Sequence, residues 1–264
     1  MAAAPDAPQM LAARAGSYLR ARRHTALLIA IIATFAVRPL IGDGRISLVV
    51  FSIALVVMLL AALYSIQIDE LMGEREILLR QRKRRSILGW AIALPAIVER
   101  LVLLSNPNPR LVLVSSILWF GFFAFVTWSQ LRSLLRHRDV TGETISLSIS
   151  VYLLMGLTWG LFYIFLHQVQ PGAFSLGTPP AESTELGAVQ PKVFPIFIYF
   201  SLTTLATIGY GDITPLSLQA RYAAVAEGIT GQFYLAILVA RLVGMHMSQT
   251  APRRDDDARP PQLE

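Results

Sequence analysis

Long apolar runs, separated by short polar connections, organise this chain. An α-helix rises about 1.5 Å per residue, so a membrane-spanning helix needs about 20 mostly apolar residues. Six runs meet or approach this length and predict spans: Thr25–Ile41, Ile46–Ile66, Ile87–Leu104, Leu111–Leu131, Ile145–His167 and Tyr222–Met247. A seventh run, Val193–Ala206, is too short to span and predicts a re-entrant helix. The pattern therefore predicts an all-α integral membrane protein with six transmembrane helices and one re-entrant segment between the fifth and the sixth.

Composition agrees with this class and excludes others. Of the 264 residues, 54% are hydrophobic and only 15% are charged, which argues against a soluble enzyme and against a disordered chain. The absence of cysteine excludes disulfides, a zinc–thiolate site and a cysteine nucleophile. No nucleophile–base pair or metal motif stands out, so the chain is not expected to be an enzyme.

Basic residues predict the orientation. With the N-terminus inside, 17 of the 23 Lys and Arg residues fall on inner segments, which predicts a multi-pass cell-membrane protein with both termini cytoplasmic. The fourth span, Leu111–Leu131, contains no charged residue. Steep voltage gating needs three to four charges per subunit, so we expect shallow voltage dependence. The connection Gln168–Lys192 is rich in Pro, Gly and Ser and predicts an outer loop without regular structure.

The segment after the re-entrant helix carries the chemistry. Thr207–Asp212 reads Thr-Ile-Gly-Tyr-Gly-Asp. Conducting a dehydrated cation requires oxygens in place of its water shell, and backbone carbonyls can supply them if successive carbonyls face one axis. Gly209 and Gly211 provide the backbone freedom that such a path needs. The Thr207 hydroxyl can add a further oxygen below the lowest carbonyl ring.

The remaining residues of this segment have supporting roles in the same interpretation. Ile208 and Tyr210 are expected to point away from the axis and brace the strand. Asp212, at the outer end, is expected to anchor the segment and attract cations.

From about Thr141 to Gln249 the sequence resembles the tetrameric potassium channel family. The resemblance implies a homotetramer in the lipid bilayer, with K⁺ as the permeant ion, no cofactor, no nucleic acid and no soluble substrate. It implies that Val193–Ala206 is the pore helix and Thr207–Asp212 the selectivity filter. K⁺ would bind at Thr207, Ile208, Gly209 and Tyr210. The residues expected to support the filter are Tyr199, Phe200, Thr203, Thr204 and Glu227.

Two features of the last span have competing interpretations. Glu227 either hydrogen-bonds behind the filter, to Ser201 or Thr203, or makes a helix-bundle hydrogen bond without effect on gating. By resemblance Gly231 is a gating hinge, but small residues are also common at helix crossings, and Gly228 and Gly244 compete for the hinge role. Spacing and resemblance together predict that the inner cavity is lined by Gln232, Leu235, Val239 and Val243.

The resulting organisation has four parts. Residues 1–24 form a cytoplasmic N-terminus, 25–138 a four-helix scaffold or sensor-like region, 139–249 the pore domain and 250–264 a disordered cytoplasmic tail. The leading hypothesis is a potassium-selective channel. The alternatives are a subunit of a potassium uptake transporter, which carries four filter-like loops in one chain, and a non-conducting membrane regulatory subunit.

Overall fold

The computed structural model of the protein describes residues 22–41, 45–71, 89–91, 109–137, 140–177 and 193–250. Over these residues the fold is helical apart from one two-residue ladder. The elements in chain order are α1 Arg23–Ile41, α2 Arg45–Leu71, α3 Pro109–Arg136, α4 Gly142–Val169, β1 Phe174–Ser175, α5 Val193–Leu205, β2 Thr214–Pro215 and α6 Leu218–Thr250.

Three helices within the described ranges are long and apolar enough to cross a membrane. They contain the windows Val49–Ile66, Gly142–Val169 and Leu218–Gly244, and two shorter apolar helices cover Arg23–Val37 and Val193–Leu205. The second, fifth and sixth predicted spans correspond to the three long windows, and the fourth forms α3. The third, Ile87–Leu104, lies outside the described residues except for the helical stretch 89–91. The count of six spans therefore stays a prediction.

Helix α4 is the centre of the bundle and packs against α1, α3, α5 and α6. It begins after Thr141, whose side chain accepts a hydrogen bond from the Thr144 amide at 3.3 Å, a standard N-terminal cap. Its interior hydroxyls bond back to carbonyls four residues earlier, as Thr158 does to Leu154 at 2.8 Å. An apolar helix can therefore carry these polar residues at little cost.

The first turn of α4 also ties down the start of α1. The Glu143 carboxylate accepts a hydrogen bond from the His24 amide at 3.0 Å and one from the Thr25 hydroxyl at 2.5 Å. The rings of His24 and His137 meet edge to face at 5.9 Å. The beginnings of α1 and α4 and the end of α3 thus lie together.

Helix α6 reaches the same end of the molecule. The guanidinium Nη2 of Arg241 donates hydrogen bonds to the main-chain oxygens of Leu135 at 2.9 Å and His137 at 2.5 Å. The last carbonyls of a helix have no partner inside it and carry partial negative charge, so a guanidinium is a suitable cap. Arg241 thereby links the end of α3 to α6.

The connection Gln168–Lys192 contains regular structure that the sequence did not predict. β1 pairs antiparallel with β2, with Phe174 opposite Pro215 and Ser175 opposite Thr214. The expectation of a loop without regular structure was wrong for Phe174–Ser175. A two-residue ladder forms by pairing with a strand elsewhere in the chain, and so short a strand shows no alternating pattern in the sequence. The ladder joins the chain just after α4 to the chain just before α6.

Candidate functional site

The end of α5 positions the segment Thr207–Asp212. The carbonyl of Thr203 accepts hydrogen bonds from the amides of Ile208 at 2.7 Å and Gly209 at 3.3 Å. The Thr207 amide bonds the Thr204 carbonyl at 3.0 Å. Because the last carbonyls of a helix lack internal partners, they are free to hold the chain that follows. Thr203 and Thr204 thus support the segment through their main-chain oxygens.

Backbone handedness alternates along this segment. Positive φ angles occur at Thr207 (57°), Gly209 (55°) and Gly211 (83°), and among the described residues Thr207 is the only non-glycine with one. In an ordinary strand successive carbonyls point to opposite sides. Reversing the handedness of every second residue turns alternate peptide planes over, which lets carbonyls share a side. A β-branched residue at positive φ is a strained exception, of the kind that clusters at functional sites.

The segment lies at the surface of the single chain. Residues 206–212 are exposed, whereas Ile213 directly after them is buried. The Asp212 carboxylate accepts a hydrogen bond from the Ile213 amide at 3.0 Å. The side chains of Ile208 and Tyr210 are 53% and 71% exposed, so within one chain they are available to contact other subunits.

Tyr199 and Phe200, which were both expected to support the filter, face different neighbours. Tyr199 stacks nearly parallel on Tyr210, with ring centroids 6.4 Å apart, and also lies near the Asp212 carboxylate. Phe200 is buried on the opposite side, where its ring meets Tyr163 at 5.0 Å and Phe174 at 5.6 Å. Tyr199 therefore braces the candidate filter, and Phe200 packs α5 against α4.

The outer end of the segment is held by the loop before it. The Leu216 amide donates to the Ala173 carbonyl at 2.8 Å, beside the β1–β2 ladder. Gly177 has a φ of +75°, and a Cβ on it would lie 3.0 Å from the Asp212 carbonyl oxygen. Glycine thus allows the loop to approach the segment closely. The Arg221 guanidinium donates to the Pro215 carbonyl at 3.3 Å.

Glu227 is fully buried behind α5. The Ser201 hydroxyl contacts one of its carboxyl oxygens, as the sequence suggested, and the Tyr163 hydroxyl donates to the other at 2.6 Å. Thr203 does not reach it and donates instead to the Phe200 carbonyl at 3.0 Å. Sequence reasoning missed Tyr163. A tyrosine in the mostly apolar second half of α4 was the available signal, since a buried hydroxyl needs a partner.

Small residues allow the helices around α5 to approach closely. A Cβ on Gly156 or Gly160 of α4 would lie 2.6 Å from the Leu202 side chain or 2.5 Å from that of Ile198. Sequence reasoning missed this pair, although its small-xxx-small spacing is the usual signal for close helix packing. A Cβ on Gly231 of α6 would lie 2.5 Å from the Leu205 carbonyl oxygen. Gly231 is therefore a close-packing position beside the end of α5.

The predicted cavity residues continue along α6 away from the segment. Gln232, Leu235, Val239 and Val243 are all exposed in the single chain. Exposure does not single out their face, because Phe233 and Ile237 are more exposed than Leu235. Gly228 and Gly244 are not close-packing positions. A Cβ on Gly228 would lie 4.0 Å from the Thr204 carbonyl oxygen, and a Cβ on Gly244 would have no neighbour within 4 Å.

A family model described as an ion channel matches residues 151–247, from the middle of α4 to the end of α6. The matched residues contain the candidate filter, Glu227 and the predicted cavity residues, so the part of the chain that carries the candidate site is the part that is similar to an ion channel.

Curated relatives are distant but consistent with the channel domain. Protein LctB of Bacillus caldotenax is 28% identical over 130 residues, which cover 47% of this chain and 92% of LctB. Protein LctB of Geobacillus stearothermophilus is 27% identical over 101 residues, covering 38% and 71%. The voltage-gated potassium channel Kch of Escherichia coli is 28% identical over 161 residues, covering 61% of this chain but only 33% of Kch. No solved structure matches.

Proposed function

We propose that this protein is the subunit of a homotetrameric, potassium-selective channel that conducts K⁺ passively across the cell membrane. Thr207–Asp212 is the selectivity filter, and K⁺ binds at oxygens of Thr207, Ile208, Gly209 and Tyr210, with no cofactor. The observation that carries the proposal is the alternation of backbone handedness at Thr207, Gly209 and Gly211. It gives the chain a physical means of directing consecutive carbonyls to one side, as a carbonyl filter requires. The relation to Kch supports potassium as the ion.

The number of subunits follows from the need to surround an ion. One chain supplies one filter segment, and rings of carbonyls require several copies around an axis. Only 11% of an 18-residue apolar window within Leu218–Gly244 is buried within the chain. Lipid, the pore and neighbouring copies would together cover the remainder. Four copies are the number that the family resemblance implies.

The proposed topology places both termini in the cytoplasm, with 1–24 and 250–264 as cytoplasmic ends, 25–138 as scaffold or sensor and 139–249 as the pore domain. The distribution of basic residues supports this orientation. The meeting of His24, His137, Glu143 and Arg241 supports a shared membrane side for the beginnings of α1 and α4 and the far end of α6.

On the inner helix, we propose that Gln232, Leu235, Val239 and Val243 line the cavity. Val239 and Val243 then form an apolar ring that can close the path by excluding water. The 2.5 Å distance from a Cβ on Gly231 to the Leu205 oxygen supports a packing role for Gly231 over a hinge.

The test is the reversal potential of purified protein in bilayers under opposed K⁺ and Na⁺ gradients, with a matched pair of glycine variants. Gly211 and Gly172 have φ angles of 83° and 84°, and an added Cβ meets nothing within 4 Å at either. An alanine should cost about 1–2 kcal/mol of backbone strain at both positions. Gly211→Ala should abolish K⁺-selective current, while Gly172→Ala, in the turn after α4, should conduct as the wild type does.

Four results would contradict the proposal. Equal K⁺ and Na⁺ permeability in the wild type would remove the selectivity claim. Normal current in Gly211→Ala would remove the filter assignment. A wild type that assembles but passes no ions would favour the regulatory subunit, and flux that saturates and requires a co-transported ion would favour the transporter.

A further inference from the structure

The close contacts around Glu227 need more hydrogen-bond protons than are present if the Glu227 carboxylate is ionised. The Ser201 hydroxyl lies 2.7 Å from the Gly156 carbonyl oxygen and also contacts the first carboxyl oxygen of Glu227. The Tyr163 hydroxyl donates to the second carboxyl oxygen at 2.6 Å. Ser201 has one hydroxyl proton, and a main-chain carbonyl can only accept.

Counting protons decides between two states of this group. If Glu227 is ionised, Ser201 must divide one proton between the carboxylate and the Gly156 carbonyl, and one buried contact has no hydrogen. If Glu227 is protonated, it donates to Ser201, Ser201 donates to Gly156, and Tyr163 donates to the other carboxyl oxygen. Every acceptor then has one donor. Buried polar groups that lack a hydrogen-bond partner are costly, so the second arrangement is favoured.

The surroundings agree with a neutral acid. Glu227 and Ser201 are 0% exposed, Tyr163 is 0% exposed, and α6 contains no other acidic residue. Within the described ranges, the titratable groups that interact with Glu227 are Tyr163 and Tyr152, both on α4 and both uncharged as neutral phenols. From α5 it meets the Ser201 hydroxyl. An ionised carboxylate in an apolar helix without a cationic partner would be expensive.

We propose that Glu227 is held in its protonated form and acts as a positioning residue that fastens α6 to α5 and α4. This rests on the proposed function, because the consequence concerns the filter. Ser201 lies two residues before Thr203, whose carbonyl holds the amides of Ile208 and Gly209. The proton on Glu227 therefore fixes the helix from which the filter begins. Movement of α6 is transmitted to the filter through this hydrogen-bond chain.

Infrared spectroscopy tests the proton directly. Wild-type protein in liposomes at neutral pH should show the C=O stretching band of a protonated carboxylic acid, and Glu227→Gln should lack that band. No such difference between the two proteins would overturn the proposal. This readout requires no ion current, so it stands even if the wild type proves not to conduct K⁺, which would refute the proposed function alone.

Current recordings test the positioning role. A glutamine amide can donate to Ser201 and accept from Tyr163, so Glu227→Gln should keep the K⁺ to Na⁺ permeability ratio. Glu227→Ala should populate a non-selective or inactivated filter about tenfold more, the usual effect of one lost buried hydrogen bond. If Glu227→Gln fails as Glu227→Ala does while both assemble normally, the neutral-donor role is wrong.

Two tyrosine variants supply a matched control, and they remain informative if Glu227→Ala does not fold. Tyr163 and Tyr234 each make one hydrogen bond between α4 and α6, and the Tyr234 hydroxyl donates to the Ser148 carbonyl at 2.7 Å. Tyr163→Phe should speed filter inactivation several-fold, whereas Tyr234→Phe should not. Equal effects of the two changes would show that Glu227 contributes only to general packing of α4 against α6, and this would overturn the proposal.

Discussion

Helices α4 and α6 contact each other, and the region similar to an ion channel includes parts of both, yet one chain covers them very differently. In an 18-residue apolar window of each helix, 56% of the residues of α4 are buried, against 11% of those of α6. Four helices of the same chain surround α4, while α6 packs against α5, α4 and β2. A single chain thus encloses α4 and leaves most of α6 exposed, as expected of the proposed inner helix, which other molecules would cover.

The covered part of α6 is a narrow strip. Glu227, Gly231 and Tyr234 are buried and recur at spacings of four and three, so they share one face. Phe233 and Leu235 are both exposed although about 200° apart around the helix. Exposure on opposite sides is what a helix needs if one side meets a water-filled path and another meets a neighbouring subunit or lipid.

The largest expected effect is a difference in stability loss when the same leucine-to-alanine substitution is made in α4 and in α6. Leu154 of α4 is 0% exposed and Leu235 of α6 is 37% exposed. Leu154→Ala should lower the free energy of unfolding by about 2–5 kcal/mol, since it leaves a cavity in a closed core. Leu235→Ala should lower it by less than about 1 kcal/mol, because the proposed cavity keeps this side chain beside water. Denaturation in mixed micelles, followed by circular dichroism, measures both.

A comparable loss in both variants would mean that the assembly buries Leu235 as deeply as one chain buries Leu154. The face assigned to the cavity would then be wrong.

A smaller effect concerns the strip where α6 is covered. Gly231→Ala pushes a methyl against the Leu205 carbonyl, so it should cost about 1–3 kcal/mol of stability. Gly244→Ala meets nothing within 4 Å and should be neutral or stabilising by up to about 1 kcal/mol. Thermal unfolding of the assembled protein compares them. Unchanged stability in Gly231→Ala with reduced open probability would instead restore the hinge interpretation.

The smallest expected effect is a factor of about eight in the K⁺ current of mixed wild-type and variant protein, which distinguishes a filter shared by four copies from one formed by each chain alone. If four copies share one filter, co-expression of equal amounts of wild type and the filter variant Gly209→Ala leaves about one sixteenth of the K⁺ current. If each chain conducts alone, about one half remains. A variant that enters assemblies with reduced efficiency would shift the first value upward, so the subunit ratio of the purified mixture is measured alongside. A K⁺ current proportional to the fraction of wild type would show that a chain conducts without a neighbouring copy covering α6.

Sequence patterns predicted the bounds of these helices closely because their signals are local. A short helix was expected at Val193–Ala206 and occupies Val193–Leu205, and the fifth predicted span, Ile145–His167, lies within α4. Length and apolar content suffice for such assignments. The positive φ angles at Gly209 and Gly211 follow from residue type.

Contacts between helices could not be predicted in the same way. Helix α4 is apolar on all sides, so no polar face indicates its rotation, and the sequence therefore did not show that Tyr163 faces Glu227. The two residues are 64 positions apart. Ser201 could be suggested because it lies on α5, directly before the candidate filter, whereas the contact of Tyr163 depends on how α4 and α6 dock.

The capping of α3 by Arg241 has a consequence for how this protein can vary. Arg241 binds main-chain oxygens of Leu135 and His137 rather than their side chains. Every amino acid presents the same carbonyl, so substitutions in the last turn of α3 can accumulate without removing the link. An insertion or deletion of one residue there would displace both oxygens at once. Natural variation should therefore tolerate changes of residue type at 135 and 137 far better than changes in the length of the chain between α3 and α4.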